Sequence, residues 1–367
     1  MITIMLIMHV CSVYAKIGYM SNMKRIAAID IGGNDVKLLI NMIDYDGDVS
    51  HVIIPLTSFP TGLRFAVDLN GNLKKDIYSK TINALETIKK ICDENMVDEI
   101  RITSCSAARE MNPYTQKQFQ KDVKTILTYP VHIITGNIEA QLGFKGALLT
   151  TESADDNDNM IVTIDVGGGS TEFAIGSSKT GAVDFQSIPL GGNTLKLMLS
   201  SMNENNIDNI LNIIHEKIHD EIKPVFKTKN HAHNMKLMRT PSLMNEDNIL
   251  ITEDDDPQYV IIGGAATTLS AWLHGLSSTD PFETDGYTDD TMSLISAARA
   301  FSKLTDDERL ESGCVLKGRE SSIWCSALII VSILTELGAT SAMVSAHGLI
   351  DAIINDKSWK FLLSKEV

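Results

Sequence analysis

The 367-residue chain has little of what marks several large protein classes. It carries five cysteines (Cys11, Cys92, Cys105, Cys314 and Cys325), and no two of them form a CxxC pair. An odd count without such a pair argues against a disulfide framework or a thiolate zinc site, and it reads as reduced thiols. No apolar run reaches the roughly 18 residues needed to span a bilayer. Positive charge is also scarce: 32 Lys and Arg face 47 Asp and Glu, a net charge of −15 with a pI near 5.0. That balance argues against a general nucleic-acid coat or an anionic membrane surface, so neither DNA, RNA nor membrane is an expected partner. A polyanionic substrate stays open, because it responds to the local field of a cleft and not to the sum.

What remains is globular. Hydrophobic residues make up 44% and charged residues 22%, which excludes wholesale disorder. The length suggests two domains, each large enough to bury a core. The first 22 residues are the exception. Met1 to Ala15 is apolar and ends in a small residue, as an export signal does, but it lacks a cationic start. Met23 opens MKRIAAID, directly before a strand-like run. Residues 1–22 are therefore expected to be a mis-called start or a disordered extension, and the protein to be cytoplasmic.

An internal repeat organises the rest. Ala27 to Ile40 reads AAIDIGGNDVKLLI, and Val162 to Ile175 reads VTIDVGGGSTEFAI. Each has an apolar run, an Asp, a glycine-rich turn and a second β-prone run. Each is therefore expected to form a hairpin whose turn lets backbone approach a ligand. Two such hairpins predict a duplicated α/β fold with a cleft between its halves. Strand-like runs near 51–56, 100–103, 131–134 and 259–262 alternate with helical patterns near 73–93, 113–127, 138–149, 194–201, 207–222, 266–273, 291–303, 321–337 and 349–354. Thr151 to Asn159 and residues 227–257 read as loops, the second as an exposed insertion. His231 and His233 within it are expected to be solvated and not to bind metal.

The second hairpin carries the densest chemistry, Asp165-Val-Gly-Gly-Gly-Ser-Thr-Glu172. Gly167, Gly168 and Gly169 permit φ > 0 and bring N–H groups within reach of phosphate oxygens. Ser170 and Thr171 add hydroxyls. Asp165 and Glu172 stand at the two ends of the turn, placed to hold Mg²⁺ directly or through water. The first copy offers Gly32 and Gly33, with Asn34 as a phosphate donor and Lys37 as a cation. A third glycine turn, Gly263 to Thr268, opens a helix. It suits an anion or close packing of strand on helix about equally.

Taken together these segments resemble the actin-like, sugar-kinase and Hsp70 ATPase fold, and within it the exopolyphosphatase / guanosine pentaphosphate phosphohydrolase family. The resemblance runs from about Arg25 to Ile354. DVGGGSTE agrees fully with the family's second phosphate motif. Ser106 to Arg109 resembles its Ser-Ala-x-Arg segment, whose arginine contacts substrate phosphate. Thr135 to Leu142 resembles Ser-Gly-x-Glu-Glu-Ala-Arg-Leu, whose second glutamate, here Glu139, is the proposed base. On the residues alone, a helix-start carboxylate favoured by the macrodipole is the plainer reading of Glu139, and a surface arginine paired with Glu110 is the alternative reading of Arg109.

The resemblance implies two duplicated actin-like (ribonuclease H-like) domains. Domain I would span 23–135, completed by a C-terminal helix at about 347–367, and domain II would span 136–346. It implies catalysis by Glu139 and Glu172, and metal held by Asp165 and Glu172. Phosphate would be bound by Gly32, Gly33, Asn34, Lys37, Arg109, Gly167, Gly168, Gly169, Ser170 and Thr171. Mg²⁺ or Mn²⁺ is the implied cofactor, with K⁺ as a further cation, and a homodimer is the implied assembly. The implied reaction is loss of terminal phosphate from inorganic polyphosphate or of the 5′ phosphate from guanosine pentaphosphate, with a role in the stringent response. The alternatives are an actin-fold ATPase or small-molecule kinase, and a catalytically weak polyphosphate or alarmone sensor. Six positions depart from the family pattern: Asp35 for Ser, Ile138 for Glu, Gln141 for Arg, Ser321 for Asp, Ala346 for Asp and Ile350 for Arg.

Overall fold

The computed structural model describes residues 23–44, 49–151, 159–222 and 257–355. The expectations for residues 1–22, for 152–158, for the insertion up to 256 with His231 and His233, and for 356–367 lie outside the described residues.

Both glycine-rich segments form the antiparallel hairpins that the repeat predicts. The first joins β1 (Lys24–Ile31) to β2 (Asp35–Ile43), with Asp30 opposite Lys37. It extends to β3 (Val49–Pro60) on one side, and on the other β1 runs parallel to β4 (Glu99–Ser104), followed by β5 (Val131–Ile133). The second hairpin joins β6 (Ile161–Val166) to β7 (Thr171–Ser177), with Asp165 opposite Glu172. It extends to β8 (Gly181–Ile188), and on its other side lie β9 (Gln258–Ile262), β11 (Ser341–Ser345) and the antiparallel edge strand β10 (Thr288–Asp290). The two sheets thus share one order, two hairpin-linked strands outside a central strand and parallel strands beyond it. This is the duplicated, two-sheet, actin-like arrangement.

The central strands explain why Asp30 and Asp165 face a common space. In β1, Ala27, Ile29 and Ile31 pack on a cluster with Leu85, Ile88, Phe119 and Val123 from the helices Lys75–Glu94 and Pro113–Leu127. Ile26 and Ala28 pack on the opposite side against Ile350 and Ile353 of the helix Leu349–Asn355. Alternation along a strand is strict, so Asp30 lies on the side of Ile26 and Ala28. In β6, Val162, Ile164 and Val166 enter the largest core, while Ile161 faces Ala140 and Phe144 of the helix Gly136–Thr151. Asp165 shares the face of Ile161.

That helix, Gly136–Thr151, is buried on two sides. Ala140, Phe144 and Ala147 contact the second sheet, while Leu142 and Ile138 join the cluster of the first. The expected domain boundary at 135/136 therefore falls at a helix that serves both halves. The helix Leu349–Asn355 crosses it where Gly146 meets Gly348, and a Cβ on Gly146 would overlap the Gly348 carbonyl. Arg101 caps that last helix by donating to Ile353 O at 2.9 Å and Ile354 O at 3.1 Å. The sequence reading missed β8, β10, the 3₁₀ turn Pro281–Thr284 and the short helices Leu63–Ala66, Ser106–Arg109 and Asp306–Glu311. All are too short or too mixed to carry a period.

Candidate active site

The two glycine turns face each other. A Cβ on Gly168 would lie 2.8 Å from Asn34 Oδ1, and one on Gly33 would lie 3.8 Å from the Gly169 nitrogen. Their carbonyls are held from behind. Asn34 O accepts from Thr61 N and Gly62 N, and Gly33 O from Arg64 N. Likewise Gly167 O accepts from Gly192 N, and Gly168 O from Asn193 N and Thr194 N. None of these bonds uses the N–H groups of Gly33, Asn34, Gly168 or Gly169, so both turns present donors of the kind that cradle phosphate. Asn193 Nδ2 donates to Asn34 Oδ1 and ties the turns together.

One arginine crosses between the halves. Arg109 Nη1 donates to Glu139 Oε2 at 2.8 Å and to Ile134 O at 2.9 Å. Its Nη2 lies 3.5 Å from Ser170 Oγ and 3.9 Å from Glu172 Oε1. Arg109 is thus no surface partner of Glu110, which pairs with Arg64 instead at 2.8 Å. Glu139 sits in the first turn of its helix, as read from the sequence. Burial pushes its carboxyl up to about 7 against the pull of Arg109. Burial likewise raises Asp165 to about 6, despite Lys37, and Asp30 and Glu172 above their ordinary values. For Glu172 the neighbouring Glu139 adds repulsion. Burial alone would lower Lys37, but Asp35, Asp30 and Asp165 outweigh it and hold it charged.

Asp30, Gly32, Asn34, Lys37, Glu139 and Asp165 line one cleft. Gly33, Gly167, Gly168 and Ser170 line it as well. Four expected members, Arg109, Gly169, Thr171 and Glu172, are not among its lining residues; Arg109 reaches Glu139 and Ser170 as described, and Gly169 packs against Ser106. Thr171 is wholly buried, and its hydroxyl donates to Leu190 O at 2.5 Å, so it offers no hydroxyl to a phosphate. Hairpin geometry is the reason: Thr171 begins β7 and pairs with Val166, beyond the turn. Glu172 is only 2% exposed and accepts from Ser187 Oγ at 2.7 Å. It acts on the site from behind Arg109 and Ser170.

Residues that the sequence reading did not place in the site also converge there. Ser106 packs on Gly169, where a Cβ would overlap its hydroxyl. Arg319 lies across Gly264, its charge acting on both Asp165 and Lys37. Asp30 accepts from Thr103 Oγ1 at 3.2 Å and from Cys105 at 3.5 Å. Its place in the first hairpin motif was the available signal. Asp35 Oδ2 is buried in the cleft without a hydrogen-bond partner. Ala346 and Ile350 supply apolar wall.

Comparison with known proteins gives the family and the fold. The family model of the Ppx/GppA phosphatases matches residues 46–360. Exopolyphosphatase 2 of Mycobacterium tuberculosis is 23% identical over 349 residues, covering 90% of this chain and 97% of that protein. A bifunctional 3-dehydroquinate synthase/phosphatase of Fusobacterium nucleatum is 30% identical over 161 residues, which is 43% of this chain and 24% of that protein. Among solved structures, an exopolyphosphatase-like protein superposes with a TM-score of 0.74 at 22% identity, covering 93% of this chain and 99% of the other. The Ppx/GppA family member of Aquifex aeolicus gives 0.67 at 22% identity, covering 92% and 99%. An exopolyphosphatase from Cytophaga hutchinsonii gives 0.72 at 20% identity, covering 93% and 98%. The chain belongs to the Ppx/GppA phosphatase family.

Proposed function

From family membership and the geometry of the cleft, we propose that the protein is a phosphoanhydride hydrolase. It releases terminal phosphate from inorganic polyphosphate, the 5′ phosphate from guanosine pentaphosphate, or both. The observation that carries this reading is the meeting of Glu139 and Arg109 at the DVGGGSTE turn, across the cleft from Asn34.

Hydrolysis needs an oriented water, a place for its proton, and positive charge around the phosphoryl oxygens. Glu139 accepts the proton from water; a carboxylate held near 7 is matched to neutral solution. Arg109 orients Glu139 and presents its second nitrogen toward the phosphate turn. The N–H groups of Gly33, Asn34, Gly168 and Gly169, with Ser170, hold phosphate oxygens. Glu172 fixes Arg109 and Ser187 from the rear. Ordered donors aimed at developing charge supply most of the expected acceleration.

Asp165, Asp30 and Asp35 all line the cleft without gathering into a three-ligand set, and one Asp35 oxygen is buried without a partner. A hard divalent cation there would rely on Asp165 with phosphate oxygens and water. Asp165 is the ligand best placed to hold Mg²⁺ or Mn²⁺. Such an ion would neutralise phosphoryl charge.

The kinase alternative asks for an adenosine pocket at the third glycine turn. Arg319 lies across Gly264 there, which favours the hydrolase. Phosphate release with Mg²⁺ from short polyphosphate, long polyphosphate and guanosine pentaphosphate, beside Glu139→Gln, tests the reading. Release that collapses in the variant supports it. Tight binding without release, unchanged in the variant, would make the protein a sensor.

A further inference from the structure

A second cluster of ligating side chains lies outside the cleft. His215 and His219 stand four residues apart on the helix Ile207–Ile222, and Glu336 is the last residue of the helix Ile323–Glu336. Both imidazoles turn to one carboxylate: His215 Nδ1 is 3.2 Å from Glu336 Oε2, and His219 Nδ1 is 2.6 Å from Glu336 Oε1. The three ligand atoms all lie within 4.8 Å of one another. An ordinary ion pair uses one imidazole. Two on one carboxylate, with rings 5.0 Å apart, bring three lone-pair donors to a single point. Among the described residues this is the one group of three or more such side chains that converges in this way.

The scaffold holds that point in place. Ile210, Ile214 and Ile218 are fully buried in the core they share with Leu328, Ile329 and Leu334 of the apolar helix Ile323–Glu336. His215 and His219 each follow one of these anchors by one residue, so they flank the packed seam. His219 lies in the last turn of its helix, and Glu336 ends the other. Two helix C-termini therefore bring their negative ends to the same place, which favours a cation. The side chains of His215, His219 and Glu336 are 56%, 34% and 17% exposed. Solvent can reach the site and complete a coordination sphere.

We propose that His215, His219 and Glu336 form a binding site for a divalent transition metal, with Zn²⁺ as the reference ion, that ties these two helices together. Two imidazoles and a carboxylate make a borderline-soft donor set. It suits Zn²⁺, Co²⁺ or Ni²⁺ and is a poor match for Mg²⁺, which takes oxygen ligands. The site is separate from the cleft. Ser326 touches Gly192, beside the phosphate turn, and Glu336 follows ten residues later, about 15 Å along the axis. The metal would act as a clamp on the second half of the molecule.

The test uses the full chain, stripped of metal and held in excess Mg²⁺ so that oxygen sites are filled. Zn²⁺ uptake is measured by equilibrium dialysis, Co²⁺ by its visible absorption, and melting with and without Zn²⁺ by calorimetry. The same measurements are made on His215→Ala/His219→Ala and on Glu336→Gln. The expected result is one equivalent of Zn²⁺ lost in the double variant, together with loss of the Co²⁺ absorption and of the Zn²⁺-dependent rise in melting temperature. Phosphate release in Mg²⁺ should be unchanged, which also shows that the variant is folded. Equal uptake, equal spectra or an equal melting shift in wild type and double variant would overturn the proposal. Uptake, absorption and melting do not depend on which phosphate compound the cleft hydrolyses; only the phosphate-release control rests on the proposed function.

Discussion

Replacing Glu139 by glutamine should remove activity and add stability, and the added stability should depend on pH. Burial lifts the Glu139 carboxyl from 4.5 to about 7. The folded protein therefore holds this proton more tightly than the unfolded chain does. That contribution to folding is complete below about pH 4.5 and is lost as pH rises through about 7. A displacement of this size corresponds to at most about 3 kcal/mol. Glu172 shares the repulsion, and Arg109 loses a charged acceptor in the variant, so about 2 kcal/mol is the working figure. For a protein of this size, that is a melting shift of roughly 3 °C.

Calorimetry of wild type and Glu139→Gln at about pH 4.5 and about pH 8 separates this from a general packing effect. The two should melt together at the lower pH, and the variant should melt higher at the upper one. Phosphate release should fall by about 10²- to 10⁴-fold, the range for loss of a general base. A variant that melts lower at about pH 8, or shifts equally at both values, would refute the claim that the buried carboxylate is held at a cost.

Three further outcomes follow from the same geometry. Arg109 lowers the Glu139 carboxyl, so Arg109→Gln should move the rising limb of the pH–rate profile upward and reduce kcat/KM by about 10- to 100-fold. Gly168→Ala places a Cβ 2.8 Å from Asn34 Oδ1; it should raise KM while leaving the melting temperature nearly unchanged. Gly146→Ala pushes against the Gly348 backbone and should destabilise by about 1–3 kcal/mol in a denaturant titration.

The repeated hairpin was the most legible feature of the chain, because a buried strand, an Asp and a glycine turn each leave a mark in sequence. The long helices were legible for a similar reason. Ile207–Ile222 matched its expected bounds, since Ile210, Ile214 and Ile218 repeat at helical spacing. The helix Gly136–Thr151 shows the limit. It buries two faces against two sheets, so its apolar residues form no single stripe. The lining of the cleft was legible where a motif carried it, as with Glu139, Asp165, Gly32, Gly33, Gly167 and Gly168. It was not legible where tertiary contact decides. Nothing local to Arg319 marks it as lying over Gly264, and nothing local to Asn193 ties it to Asn34. Thr171 errs the other way: the turn motif includes it, but strand pairing turns its hydroxyl inward to Leu190.

The unusual residues of the cleft form one charge problem. Asp30, Asp35, Glu139, Asp165 and Glu172 gather around Lys37, Arg109 and Arg319. Fully ionised, the acids would exceed the bases, and a polyanionic phosphate would enter a negative site. Burial answers part of this by keeping protons on Asp30, Glu139, Asp165 and Glu172 at higher pH than usual. A divalent ion at Asp165 would answer the rest, which is why the proposed substrate, the metal and the raised carboxyls stand or fall together. Three of the departing positions lie in this cleft. Asp35 brings one more carboxylate to the first turn and so deepens the charge problem, while Ala346 and Ile350 give the cleft an apolar wall.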